Sequence, residues 1–80
     1  MPLFASFVPL PRSFLVCVEK GGGVLIYKSN NIDKLYSIFD SLLFSGRFSK
    51  LAFHSNEEKL FKFLLGLKKF NKFLGIKNIE

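Results

Sequence analysis

Two neighbouring segments of this chain have no polar face. Ser13 to Val18 reads Ser-Phe-Leu-Val-Cys-Val and Val24 to Tyr27 reads Val-Leu-Ile-Tyr, both rich in the β-branched and aromatic residues that favour strands. Glu19-Lys20-Gly21-Gly22-Gly23 between them is a flexible connection, so the pair is expected to form a β-hairpin. Successive side chains of a strand point to opposite faces: Phe14, Val16 and Val18 one way, Leu15 and Cys17 the other, with Val24 and Ile26 opposing Leu25 and Tyr27. Apolarity that is continuous rather than alternating requires a sheet covered on both sides.

The remaining elements supply candidate covers. Asn30 or Asn31 can cap a helix whose apolar positions Ile32, Leu35, Tyr36, Phe39, Leu42 and Leu43 follow helical spacing, with Gly46 as its left-handed terminator. Phe48 to His54 reads as a short third strand, with Leu51 and Phe53 on one side. Ser55-Asn56-Glu57-Glu58 reads as a capping box, in which the Ser55 hydroxyl and the Glu58 carboxylate satisfy backbone donors at a helix start. The stripe Leu60, Phe63, Leu64, Leu67, Phe70 and Leu74 carries that helix from about Asn56 to Leu74, where Gly75 closes it.

The expected fold class is α+β, one small domain in the order β-β-α-β-α. Its simplest form is a three-stranded sheet with both helices on one face, leaving the other face to the N-terminal segment or to a partner. Residues 1–12 are expected to be an extended arm, because Pro2, Pro9 and Pro11 remove backbone donors and fix φ. Residues 13–80 are expected to make the domain, ending in a Lys/Phe-rich amphipathic helix. The arm is too short and too broken for a transmembrane helix or a secretory signal, and charges interrupt every later apolar run, so no transmembrane span is expected.

Eighty residues bury only roughly 60% of the surface they expose when unfolded. Yet 49% of this chain is hydrophobic and 11 residues are Phe, so apolar surface is expected to remain uncovered in the monomer. Charge is uneven as well. The chain has 12 Lys+Arg against 6 Asp+Glu, a net +6, and from Lys59 to Ile79 there are six lysines and no acid. Residues 1–58 are almost neutral, with six bases and five acids. Only Arg12 and Arg47 are Arg, which disfavours a site built on bidentate guanidinium contacts. Abundant Phe, Lys, Asn and Ile without Trp fits translation from an AT-rich genome, which by itself inflates Lys.

No residue pattern points to catalysis. His54 is the single histidine, with no metal constellation and no nucleophile beside it in the sequence. Cys17 stands alone, which excludes an internal disulfide and any Cys-based zinc site, and its apolar neighbours make it a buried small hydrophobe. Asp33, Asp40, Glu57 and Glu58 fall at helix starts or exposed helical positions, where carboxylates favour the helix dipole or stay solvated. Gly21-Gly22-Gly23 lacks the spacing of a phosphate loop and joins two strands, so it reads as a turn; a weaker reading lets it enter an RNA groove with Lys20. No enzymatic activity, cofactor or metal is expected.

Phe61, Leu65 and Phe73 fall among the lysines, where a solvated helix carries polar residues, and are expected to contact a partner. Lysines that neutralise phosphates beside such side chains suit structured RNA. The expected function is a structural subunit of a large ribonucleoprotein, most simply a small ribosomal protein of the mitochondrion or another organelle, or of a cytoplasmic ribosome. Its rRNA-binding residues are expected to be Lys59, Lys62, Lys68, Lys69, Lys72, Lys77, Arg47 and Arg12. The alternative is an accessory subunit of a membrane-associated complex, such as a respiratory complex, with the last helix lying on the lipid surface.

Overall fold

A computed structural model describes residues 12–67 and 72–79. In chain order these form β1 (Ser13–Glu19), β2 (Gly23–Ser29), α1 (Ile32–Ser45), β3 (Phe48–His54), α2 (Glu57–Gly66) and β4 (Lys72–Asn78). The result is a small α+β domain with two helices and a mixed sheet. The expected arm over residues 1–11 lies outside the described residues.

The hairpin forms as its composition requires. β1 and β2 pair antiparallel, from Ser13 opposite Ser29 to Val18 opposite Val24. At the turn the Gly22 amide donates to the Glu19 carbonyl at 2.9 Å, and Gly22 takes φ 98°, a conformation open to glycine at little cost. α1 is also where the periodicity puts it. The Asn31 side chain accepts from the Asp33 amide at 3.0 Å, and Gly46 ends the helix at φ 67°. Its buried stripe is narrower than the sequence suggests, since Tyr36 and Leu43 are more than half exposed.

The sheet has four strands among the described residues, in the order β3-β1-β2-β4, and not three. β3 pairs antiparallel with β1, and β4 pairs parallel with β2. The segment expected to finish a long second helix is instead β4, and α2 stops at Gly66. The physical reason lies in β2. Its residues Gly23 to Ile26 are buried, so the backbone groups on its outer edge need partners that water does not supply. β4 supplies them. Gly75, expected to be a helix terminator, has φ 120° and sits at a bulge where the register shifts between Val24 and Leu25 of β2. Phe70, assigned to the stripe of that longer helix, lies outside the described residues.

The expectation of both helices on one face is also overturned. Phe14, Val16, Val24 and Ile26 pack with Leu60 of α2, while Leu15, Cys17 and Leu25 pack with Leu35 of α1. These are the two opposite faces of one hairpin. The topology explains why. β2, β3 and β4 run parallel, and the β2-α1-β3 crossover moves across the sheet in the opposite direction to the β3-α2-β4 crossover. Right-handed crossovers of opposite direction place their helices on opposite faces.

The N-cap of α2 is Asn56 rather than Ser55: the Asn56 Oδ1 accepts from the Lys59 amide at 2.9 Å. Glu58 does not reach back to complete a capping box, and its carboxylate lies 3.3 Å from the Lys62 ammonium. Asparagine serves as well as serine here, so the start of the helix is little changed.

Gly75 is held by its backbone rather than by crowding. Gly75→Ala is expected to cost about 1–3 kcal/mol in urea unfolding, because a Cβ strains backbone at φ 120° even where nothing stands within 4 Å of it. Gly21→Ala, in equally open space with no positive φ, is expected to be nearly neutral.

Candidate basic and apolar surface

The sheet and its two covers divide the cations into separate groups. Lys59 and Lys62 are exposed on α2, and Lys62 is ion-paired with Glu58. Lys72 and Lys77 are exposed on β4, so they do not extend a helical stripe from α2. Lys77 stands opposite Tyr27 with its ammonium 5.9 Å from the ring centre, on the face that carries α1. Lys72 stands opposite Gly23, one residue before Phe73, and shares that face. Lys68 and Lys69 lie outside the described residues. Arg12 is exposed just ahead of β1.

Arg47 is held in place. Its Nε donates to a Glu19 carboxylate oxygen, its guanidinium lies 5.1 Å from the Phe48 ring centre, and its carbonyl accepts from the Lys20 amide. An exposed pair of this kind contributes little stability, but it ties the Arg47 side chain to the β1 turn. Among the described residues, the expected RNA contacts therefore do not gather on one helix face.

The apolar side chains expected to meet a partner are open. Phe61 is 57% exposed, Leu65 85% and Phe73 54%, joined by Ile76 at 52%. Their placement follows from how α2 docks. Phe63 packs against His54 of β3 with ring centres 4.8 Å apart and planes tilted by 47°, and the Lys50 ammonium of β3 lies 4.9 Å from the Phe63 ring centre. At 3.6 residues per turn, Phe61 and Leu65 lie on the flank of α2 about 160° from Phe63, the flank away from β3. Phe73 and Ile76 stand opposite Val24 and Ile26, on the same face of the sheet. α2 is thus seated toward β3, and Phe73 and Ile76 of β4 stay about half exposed on the same face of the sheet.

Lys50 was not singled out from the sequence, and His54 was noted there only as a lone histidine. They alternate with Leu51 and Phe53 along β3, and this alternation was the available signal. His54 lies at the carboxyl end of a strand parallel to β2, where open α/β sheets place their clefts. A cleft of about 220 Å³ opens there, lined by Ser13, Ile32, Phe53, His54, Ser55 and Lys59. The helix starts around it are already satisfied by Asn31 and Asn56, and Asp33, Glu57 and Glu58 occupy the first turns. They do not make an anion site. Among the described residues no three His, Cys, Asp or Glu side chains gather to hold a metal.

Burial, reinforced by the nearby Lys59 ammonium, lowers the His54 pKa from its ordinary value of 6.5, and among the described residues its buried Nε2 has no hydrogen-bond partner. Burial pushes the Cys17 thiol up to about 12, against a smaller opposing pull from Arg47, so no thiolate nucleophile forms near neutral pH.

Two outcomes follow from these environments. Between the lowered folded pKa and 6.5 the unfolded chain binds a proton that the folded chain does not. The His54 contribution is therefore complete above 6.5 and declines as pH falls toward the folded value. The urea midpoint should drop over that window, and His54→Asn should remove that part of the pH dependence. Cys17 should resist a thiol-specific reagent in the native protein and react fully once urea unfolds it. Comparison with known protein families, with curated proteins and with solved structures finds no match, so the geometry itself carries the functional reading.

Proposed function

We propose that this protein is a non-catalytic structural subunit of a large ribonucleoprotein, most simply a small ribosomal protein of an organelle or of an AT-rich lineage. Its lysines meet rRNA phosphates and its open apolar side chains meet neighbouring proteins. The observation that supports this reading most directly is an unmatched surface. Among the described residues Arg47 and Lys62 are the ion-paired cations, while Lys28, Lys50, Lys59, Lys72 and Lys77 have no acid within salt-bridge distance. These cations lie on both faces of the sheet, with exposed Phe61, Leu65, Phe73 and Ile76 among them. A domain contacted from several sides by phosphate backbone and protein has use for such a surface. Lysine contacts of this kind position RNA without reading its sequence.

A second reading is supported by one feature, the exposed Phe61 and Leu65 beside Lys62 on α2. Phenylalanine and leucine at an acyl boundary with lysine at the headgroups make an interfacial anchor, as in an accessory subunit of a membrane-associated complex. No described helix is long and apolar enough to cross a membrane.

Titration of a structured rRNA fragment at a series of salt concentrations separates the two. Affinity is expected to fall steeply with salt, and Lys50→Gln and Lys59→Gln should each reduce the log–log slope by about 1, with the same loss on unrelated structured RNAs. An RNA affinity unchanged by either substitution, together with RNase-insensitive co-purification with detergent-solubilised membranes, would favour the membrane assembly instead.

A further inference from the structure

β4 is bonded to β2 on one side, and among the described residues nothing pairs with its other side. An open strand edge presents a row of backbone donors and acceptors to any extended chain that arrives. What this edge accepts is set by the side chains on either face. Phe73 and Ile76, on the α2 face, are about half exposed. Lys72 and Lys77 stand on the α1 face. The bulge at Gly75 produces this arrangement: Leu74 packs into the α1-side cluster, Gly75 stands opposite Leu25, and Ile76 returns to the α2 face three positions after Phe73.

A second copy of β4 is a poor occupant. The antiparallel register that pairs both exposed apolar residues of each copy sets Phe73 against the other copy's Ile76, which is favourable. The same register sets Lys72 directly against the other copy's Lys77, twice over, and like charges opposite one another destabilise a sheet. A strand with acidic residues at those two positions gains where self-pairing loses. Because the bulge lets Leu74 and Gly75 together oppose one residue, the complementary strand reads acid, apolar, any residue, apolar, acid.

We propose that the outer edge of β4 accepts an extended strand from an acidic protein partner, its apolar side chains on Phe73 and Ile76 and its carboxylates opposite Lys72 and Lys77. This concerns a protein neighbour and stands whether or not other lysines meet RNA. Recognition is by strand addition, with backbone hydrogen bonds giving affinity and the alternating side chains giving selectivity.

The test uses the full chain, isotope-labelled, and two synthetic peptides followed by NMR titration. One is Thr-Glu-Val-Thr-Val-Glu-Thr and the other carries Lys at both Glu positions. The glutamate peptide is expected to shift the β4 amides and to bind about tenfold more tightly than the lysine peptide at low salt. In the Lys72→Glu, Lys77→Glu double variant, changed only at exposed positions, the preference should reverse. Four results would overturn the proposal. They are no binding of either peptide, equal binding of both, a concentration-dependent dimer of the free chain, or outward β4 amides already protected from exchange in the free monomer. The last two would assign the edge to a second copy or to the chain's own residues 1–11.

Discussion

A hairpin that is apolar on both faces cannot rest against a single layer. Phe14, Val16, Val24 and Ile26 on one side and Leu15, Cys17 and Leu25 on the other are all within 5% of complete burial, and the rest of the chain is arranged around that demand. One helix is committed to each face. With β2, β3 and β4 parallel, the chain crosses the sheet first toward β3 and then back toward β4, and the right-handed rule sends the two crossovers to opposite sides. The same burial fixes β4, since a central strand with both faces covered needs a ladder on each edge.

The two covers differ in quality, and the difference leads from fold to function. α1 has 14 residues, packs on β1, β2 and β3, and reaches Leu74 of β4 through the shared cluster. α2 has 10 residues and is drawn to β3 by Phe63, packed against His54 with Lys50 above it. On the same face of the sheet Phe73 and Ile76 of β4 are left about half exposed. Exposed apolar side chains, and lysines on both faces without an ion pair among the described residues, are the two properties that a component of a larger assembly can use. The buried Cys17 adds packing, and His54 adds pH sensitivity.

Much of this was legible in the residues. The hairpin, the Gly46 terminator, the span of β3 and the two-sided burial each rest on local pattern, and local pattern is what a sequence displays. Asn56 instead of Ser55 as the cap is a choice between adjacent residues of similar capacity. The larger miss was 72–78. Leu67, Phe70 and Leu74 continue the spacing of Leu60, Phe63 and Leu64, and nothing local distinguishes that continuation from a strand. The deciding fact is non-local: an unpaired edge on β2, far back in the sequence. The side on which each helix packs is likewise a property of crossover direction, invisible until strand order is known. For the site, Phe61, Leu65 and Phe73 were found as exposed apolar residues, but the grouping of the lysines was misread because it assumed one long helix.

Methyl–methyl contacts tell directly whether each face of the hairpin has its own helix. In a methyl-labelled sample of the full chain, Leu35 should show nuclear Overhauser contacts to Leu15 and Leu25, and Leu60 to Val16, Val24 and Ile26, with neither leucine touching the other's set. If both leucines contacted the same set, with the methyls of the other set facing water, the two-sided account would be contradicted.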